Sequence, residues 1–209
     1  MKRRLDRSAL KEGINYLCQV DTDFSSIVSR YGPSPLWSRE PGFATLVRII
    51  LEQQVSLASA KAAFDRLQNQ IDPVSEEAFL KLTDAEIKRI GFSRQKSAYC
   101  SNLAHAVIAG DISLEDNGHS SDDQLRSDLL KLKGIGPWTT DIYFLMALRR
   151  PDIWPQNDLA LAQAVQDLKK LPSRPDNNLL GQLSEAWRPW RAVAARLLWH
   201  YYLSKKSSR

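Results

Sequence analysis

The chain has 209 residues, of which 43% are hydrophobic and 25% charged, and carries a formal net charge of +5. That length suits one domain or two small lobes, and that balance excludes a disordered chain. The two cysteines, Cys18 and Cys100, form no Cys-x-x-Cys pair, which excludes a structural zinc site or a four-cysteine iron–sulfur cluster.

In chain order, Phe43, Leu46, Val47, Ile50 and Leu51 share one apolar helix face, with Pro41 near the first turn. Ala60, Ala63, Phe64 and Leu67 form a second short stripe. Thr83-Asp84-Ala85-Glu86 reads as a capping box, and Gly91 as the matching stop. Ser93 caps a predicted helix that runs to about Gly110. Ser121 with Gln124 is another capping box, opening a helix that carries Leu125, Leu129 and Leu132. Gly134-Ile135-Gly136 then breaks the chain. A new helix is predicted from Pro137, with Ile142, Leu145 and Met146 on its apolar side and Arg149-Arg150-Pro151 at its end. Asp152 to Asn157 reads as an extended connection. Asp158 opens a helix carrying Leu161, Val165 and Leu168, and Leu171 to Asn178 reads as a Pro- and Asn-rich loop. Pro189 starts the last helix, with Val193, Ala194, Leu197 and Leu198 inside, and Ser204 to Arg209 is a polar, frayed tail. There is no strand alternation and no repeat, so the fold class read here is all-α with short loops.

His105, His119 and His200 show no metal-ligand spacing, so no metal or other cofactor is expected. Two lone cysteines fit a reducing compartment. The basic start Met1-Lys2-Arg3-Arg4 is followed by no apolar run, so neither a signal peptide nor a membrane span is read. The expectation is a soluble intracellular protein, cytoplasmic at a bacterial nucleoid or nuclear in a eukaryote.

The most informative segment runs from Leu129 through Lys131-Leu132-Lys133-Gly134-Ile135-Gly136-Pro137-Trp138-Thr139-Thr140. It sets helix, four-residue hairpin and helix in direct succession. Glycines open backbone conformations closed to other residues and let an anion approach the amides. The next helix start adds unpaired N–H groups and the positive end of a dipole. Together these make a phosphate cradle, with Lys131 and Lys133 adding charge beside it. An ordinary tight connection between helices explains a bare Gly-x-Gly, but the whole run favours DNA. The net basic charge permits such a partner without requiring it.

At these residues the chain resembles the helix-hairpin-helix DNA glycosylase superfamily, and most of all its AlkA-type alkylpurine (3-methyladenine) glycosylases. The family signature is such a hairpin followed by a Pro-containing loop and an aspartate. Here the loop is Trp154-Pro155-Gln156-Asn157 and the acid is Asp158. Ile50-Leu51-Glu52-Gln53-Gln54-Val55-Ser56 resembles the segment that supplies the minor-groove wedge. Gly91-Phe92-Ser93-Arg94-Gln95-Lys96 resembles a middle-region motif, and Trp187-Arg188-Pro189-Trp190-Arg191 the start of the last helix. The resemblance implies two helical lobes with a DNA-binding cleft, one lobe at about residues 44–150 and the other from 1–43 plus 151–209. It implies no additional N-terminal β-domain of the kind some relatives carry, since the hairpin lies so early.

By the same resemblance, the function is monofunctional hydrolysis of the N-glycosidic bond of alkylated purines in double-stranded DNA, by a monomer without a cofactor. Asp158 is the implied catalytic carboxylate, stabilising positive charge on the sugar and orienting water. As a bare residue it equally reads as a helix cap, a task open to Asn157 too. Trp138 and Trp199 are implied to line the base pocket, where a cationic base stacks on electron-rich rings. Tyr143 is a further candidate, although the family aromatic stands one residue earlier, where this chain has Ile142. Each tryptophan also reads as a core aromatic, and Trp190 as an anchor for the last helix. Trp138 stands where bifunctional relatives carry a Schiff-base lysine, so lyase activity is not expected. Lys133, Gly134, Ile135, Gly136 and Thr139 are the implied backbone-phosphate contacts. Gln54, with Gln53, is the implied wedge filling the stack left by the extruded base, and Lys96 reads evenly as a phosphate contact or a solvated charge. Three readings compete: a non-catalytic helix-hairpin-helix DNA-binding module, a related glycosylase for mismatched or oxidised bases, and a helical interaction protein with no nucleic-acid role.

Overall fold

The computed structural model describes residues 4–114 and 121–207. Met1, Lys2, Arg3, His119, Ser208 and Arg209 lie outside the described residues. The described residues form helices joined by short loops, with no strand among them. The helices are α1 (Arg7–Val20), α2 (Thr22–Tyr31), α3 (Phe43–Glu52), α4 (Leu57–Gln70), α5 (Glu76–Leu80), α6 (Asp84–Ile90), α7 (Arg94–Ile108), α8 (Asp122–Lys131), α9 (Pro137–Met146), α10 (Leu159–Leu168), α11 (Asn177–Glu185) and α12 (Arg191–Ser207). No helix among the described residues is long and apolar enough to cross a membrane.

The chain divides into two compact units, one of Met1–Ser38 with Phe144–Arg209 and one of Arg39–Tyr143. The second unit is built on α3. Leu46, Val47, Ile49 and Ile50 are wholly buried there, and α3 packs against α4 and α7. Phe43 of α3 meets Phe79 in a T-shaped contact and Phe79 meets Phe92 at a tilt, with ring centroids 5.8 and 5.6 Å apart. Local chemistry sets the boundaries of its helices. Thr83 and Glu86 complete the reciprocal capping box of α6, and Gly91 closes it in the left-handed region at φ 104°. Ser93 and Ser121 cap α7 and α8. The box at Ser121 is only half made, because the Gln124 side chain turns to Asp128 instead.

The first unit is built on α12, whose residues Ala192 to Leu198 are buried all round. α10, α1 and α2 pack against it. A Cβ at Gly13 would stand 2.8 Å from the Trp190 ring, so only glycine permits this approach of α1. Asp21 joins α1 to α2. Its carboxylate caps α2 and accepts hydrogen bonds from Lys169 Nζ at 2.8 Å and Trp187 Nε1 at 3.1 Å.

Several boundaries depart from the sequence expectation. α9 stops at Met146, three residues before Arg149, and Met146 and Leu168 are only half-buried. The loop expected from Leu171 to Asn178 gives way to α11 at Asn177, whose cap is Asp176. α12 begins at Arg191 rather than Pro189, and it stays helical through Ser207 where fraying was expected. Pro41 lies outside α3, whose N-cap is Gly42.

Candidate functional site

In the first unit, the segment after α9 is anchored at successive points. The Ala192 amide donates to Pro151 O at 3.0 Å. Arg191 and Arg188 donate to the Asp152 carboxylate at 2.8 and 2.6 Å. Trp154 leans on Trp187 with centroids 5.3 Å apart, and Pro155 is buried. Asn157 then takes a left-handed backbone at φ 59°, a region that asparagine tolerates better than most residues. Asn177 holds it there: Asn157 N–H donates to Asn177 Oδ1 at 2.9 Å, and the two side-chain amides pair with each other.

This turn delivers Asp158 to the N-cap of α10. Its Oδ1 accepts from the Leu161 amide at 2.9 Å and from Trp199 Nε1, on α12, at 3.2 Å. Asp158 is 8% exposed and Trp199 9%, whereas the next residue, Leu159, is 69% exposed. Two donors on one oxygen, from separate helices, fix the direction of the carboxylate. The capping role is therefore taken by Asp158, and the side chain of Asn157 is engaged elsewhere.

The hairpin belongs to the second unit. Gly134 has φ 93°, and a Cβ there would lie 2.1 Å from the ring of Tyr99, so glycine is required twice over. Ile135 is buried at 2% and its amide donates to Leu132 O at 3.1 Å. Gly136 faces open space, with nothing within 4 Å of where a Cβ would stand. Its carbonyl accepts from the Thr140 amide at 3.0 Å, which starts α9. First-turn amides of that helix, Thr139 among them, have no acceptor inside the helix. Arg126 braces the hairpin by an ion pair of 2.7 Å to the buried Asp141. Lys133 is exposed. Lys131, expected to add free charge, is in an ion pair of 2.7 Å with Asp128. That hydrogen bond, with one from Gln124, holds the Asp128 carboxyl below its usual range.

Trp138 is half-buried at the start of α9. Tyr143 is fully buried. Its hydroxyl donates to Leu114 O at 2.7 Å and accepts from the Gly42 amide at 2.9 Å. The ring is thus a strut within the core and presents no open face in this structure. Ile142, where the resemblance places the family aromatic, is buried as well, at 2% exposure.

The loop between α3 and α4 separates the two glutamines. Gln53 turns inward: its Nε2 donates to Gly134 O and to Thr139 Oγ1, both at 2.9 Å. Gln54 is exposed and left-handed at φ 56°, and Val55 and Leu57 beside it are 47% and 59% exposed. Lys96, read from the sequence as a phosphate contact or a solvated charge, is half-buried and turned to the main chain. Its Nζ donates to Leu51 O at 2.7 Å and to Gln53 O at 2.8 Å, closing the end of α3. Burial holds this ammonium below the usual lysine range, opposed by nearby Cys100, whose thiol burial pushes well up. Among the described residues no cluster of three His, Cys, Asp or Glu side chains could hold a metal ion.

Hairpin, Pro-containing loop and acid lie in the order of a known family, and residues 47–189 match the HhH-GPD superfamily of base excision DNA repair proteins. The chain belongs to that superfamily. It is 31% identical to the DNA-3-methyladenine glycosylase 1 of Schizosaccharomyces pombe over 83% of this chain and 78% of that protein. It is 26% identical to YfjP of Bacillus subtilis over 85% of its own residues, and spans 65% of YfjP. Its fold is similar to the Schizosaccharomyces pombe 3-methyladenine DNA glycosylase in complex with abasic DNA, with TM-score 0.83, 24% identity, and coverage of 93% of this chain and 97% of that one.

Within the HhH-GPD framework, the contacts of three further residues around the site are not foreseen by the sequence. Asn177 fixes the turn before Asp158. Arg196, wholly buried, donates to Leu36 O at 2.7 Å, Leu145 O at 2.8 Å and Ala192 O at 2.9 Å. Desolvation pushes its pKa down to about 9, which still leaves it charged at neutral pH. Trp187 backs both Asp21 and Trp154. Arg196 left a sequence signal, a charge inside the run Ala192 to Leu198, and Trp187 stands in the stretch that resembles the start of the last helix.

Proposed function

We propose that this protein is a monofunctional DNA glycosylase that hydrolyses the N-glycosidic bond of alkylated purines of the 3-methyladenine type, in base excision repair. The observation that carries the proposal is Asp158, aimed by the Leu161 amide and the Trp199 indole on a single carboxylate oxygen. The 3-methyladenine glycosylases that the chain resembles in sequence and fold support it.

Cleaving a glycosidic bond leaves positive charge on the sugar. A carboxylate held in place beforehand stabilises that charge without reorganising at the moment of reaction. It also orients the attacking water. Ring-nitrogen alkylation makes the purine cationic and a good leaving group, so no dedicated general acid is called for. A cationic base gains from stacking on an indole face, and Trp199 supplies one next to the acid. Because its N–H also bonds Asp158, the same ring sets both the pocket wall and the carboxylate.

Extrusion of the nucleotide costs a few kcal/mol of stacking and pairing. Gln54, at the exposed tip of the α3–α4 loop, fills the vacated stack. The hairpin amides around Gly136 and Thr139 hold a backbone phosphate, with Lys133 beside them; this fixes register and reads no sequence. Trp138 occupies the hairpin position without an amine, so the product strand stays intact. The protein works as a monomer on double-stranded DNA containing alkylated bases.

The test is mass spectrometry of free bases released from methylated duplex DNA, run beside oxidised and deaminated duplexes. Methylated purines should be released, and the strand should break only on later treatment with alkali. Release confined to oxidised or mismatched bases, or strand nicking by the enzyme alone, would overturn the proposal.

A further inference from the structure

We infer that Gln53 is a positioning residue that couples the hairpin's hold on the DNA backbone to insertion of Gln54, with Lys96 as the second half of the same latch. The inference rests on the wedge role proposed for Gln54 and assigns its neighbour a different task.

A primary amide offers two N–H donors. Gln53 places its Nε2 within 2.9 Å of two acceptors on opposite sides of the hairpin, Gly134 O and Thr139 Oγ1. Thr139 is 2% exposed, so this contact lies inside the second unit and not on its surface. The main chain of the same residue is held from the other side, where Lys96 Nζ bonds Gln53 O at 2.8 Å and Leu51 O at 2.7 Å. The Gln53 amide itself donates to Ile50 O at 3.3 Å. On the far side of Gln54 and Val55, Ser56 is held as the cap of α4, through the Ser59 amide.

Gln54 is therefore a left-handed, exposed residue between anchored neighbours. Its φ of 56° is a strained state for a non-glycine residue and persists only because the flanking contacts over-determine it. The atoms that anchor it belong to the residues whose amides would hold phosphate. A phosphate seated on the hairpin thus stands at a set distance from the wedge, and no separate ordering of the loop is needed when the duplex opens. Neither long side chain reaches for DNA; both hold the part that does.

The experiment is a double-mutant cycle on the full chain, with variants Gln53→Met, Gln54→Ala and the pair. It has two readouts: single-turnover release of methylated purine, and fluorescence of 2-aminopurine beside a tetrahydrofuran abasic analogue, which reports opening of the stack. Methionine matches glutamine in length and cannot make either hydrogen bond. Gln53→Met should leave affinity for the abasic duplex nearly unchanged. It should lower release roughly 10- to 100-fold and abolish most of the fluorescence gain, the scale of a displacement near 1 Å in a positioned group. In the Gln54→Ala background it should add almost nothing, because it acts through that residue. Lys96→Met should give the same pattern.

Multiplying effects in the pair, equal losses of binding and release, or an unchanged fluorescence gain in Gln53→Met would each overturn the inference. Should Gln53→Met not fold, Gln53→Asn, one methylene too short to reach both acceptors, carries the same cycle. The abasic probe has no base to remove, so a chain that releases no methylated purine sinks the enzymatic proposal while the fluorescence cycle still decides this one.

Discussion

The hairpin around Gly134 is made of backbone, while the segment around Asp158 is made of side chains. At the hairpin, a positive φ at Gly134 and open space around Gly136 expose main-chain groups at the start of α9. At Asp158, a carboxylate is aimed by an indole from α12, and the turn before it is held by an amide pair from α11. The contrast suits the two tasks proposed for these regions. Every stretch of duplex offers phosphates, so holding one needs donors that are always present and carry no sequence information. Stabilising charge at one sugar atom needs a single oxygen aimed within narrow limits, which only converging elements can enforce.

The comparison predicts that damage to the two regions separates into chemistry and binding. The largest effect is expected for Asp158→Asn, in which Oδ1 still accepts both hydrogen bonds while the charge is lost. Single-turnover base release should fall by about 10²- to 10³-fold or more, with affinity for an abasic duplex largely kept. Full activity in this variant would break the contrast at its stronger end.

Arg196→Met comes next, and its effect is on stability. It strands the carbonyls of Leu36, Leu145 and Ala192 in the core. A loss on the order of 3 kcal/mol or more is expected in denaturant unfolding. Gly134→Ala forces a Cβ against Tyr99 at a positive φ. It should raise the Kd for DNA about tenfold, from strain of ~1–3 kcal/mol, with release at saturating DNA preserved. If release at saturation fell with it, the hairpin would be part of the chemistry and the division wrong.

Asn177→Ala sharpens the other side. It removes both hydrogen bonds that hold Asn157. Base release should drop about 3- to 10-fold with little change in Kd, the worth of one or two hydrogen bonds. The smallest effect is that of Lys133→Ala, which should reduce the slope of log K against log salt by about 1, equally for damaged and undamaged duplexes.

Some of this was legible in the chain itself. The capping box at Thr83, the caps at Ser93 and Ser121 and the stop at Gly91 all depend on atoms within three or four residues, and the structure has each of them where the sequence pointed. α1 carried a signal too: Leu10, Ile14 and Leu17 share a face, although Gly13 interrupts it. α5, with five residues, is too short for any periodicity to stand out. α11 was hidden because Pro175 and its neighbouring asparagines look like a loop until Asp176 caps them.

Other assignments could not be settled that way. Gln53 and Gln54 are the same residue type side by side, and one turns inward while the other faces out. Lys96 has the charge of a DNA contact but spends it on carbonyls 45 and 43 residues away. Tyr143 has the ring of a base-pocket wall, yet its hydroxyl is tied to Leu114, 29 residues back, and to Gly42, 101 residues back.

The sequence by itself determined the helical class, the hairpin, the order of loop and acid, and the caps, because each is decided by torsions and hydrogen bonds between near neighbours. Only the tertiary structure decided which glutamine is free, what Lys96 holds and what aims Asp158. Those depend on partners such as Trp199, 41 residues from Asp158, and Gly134, 81 from Gln53. A side chain's chemistry is written in its type, but whether it faces solvent or a carbonyl is settled only when distant segments pack together.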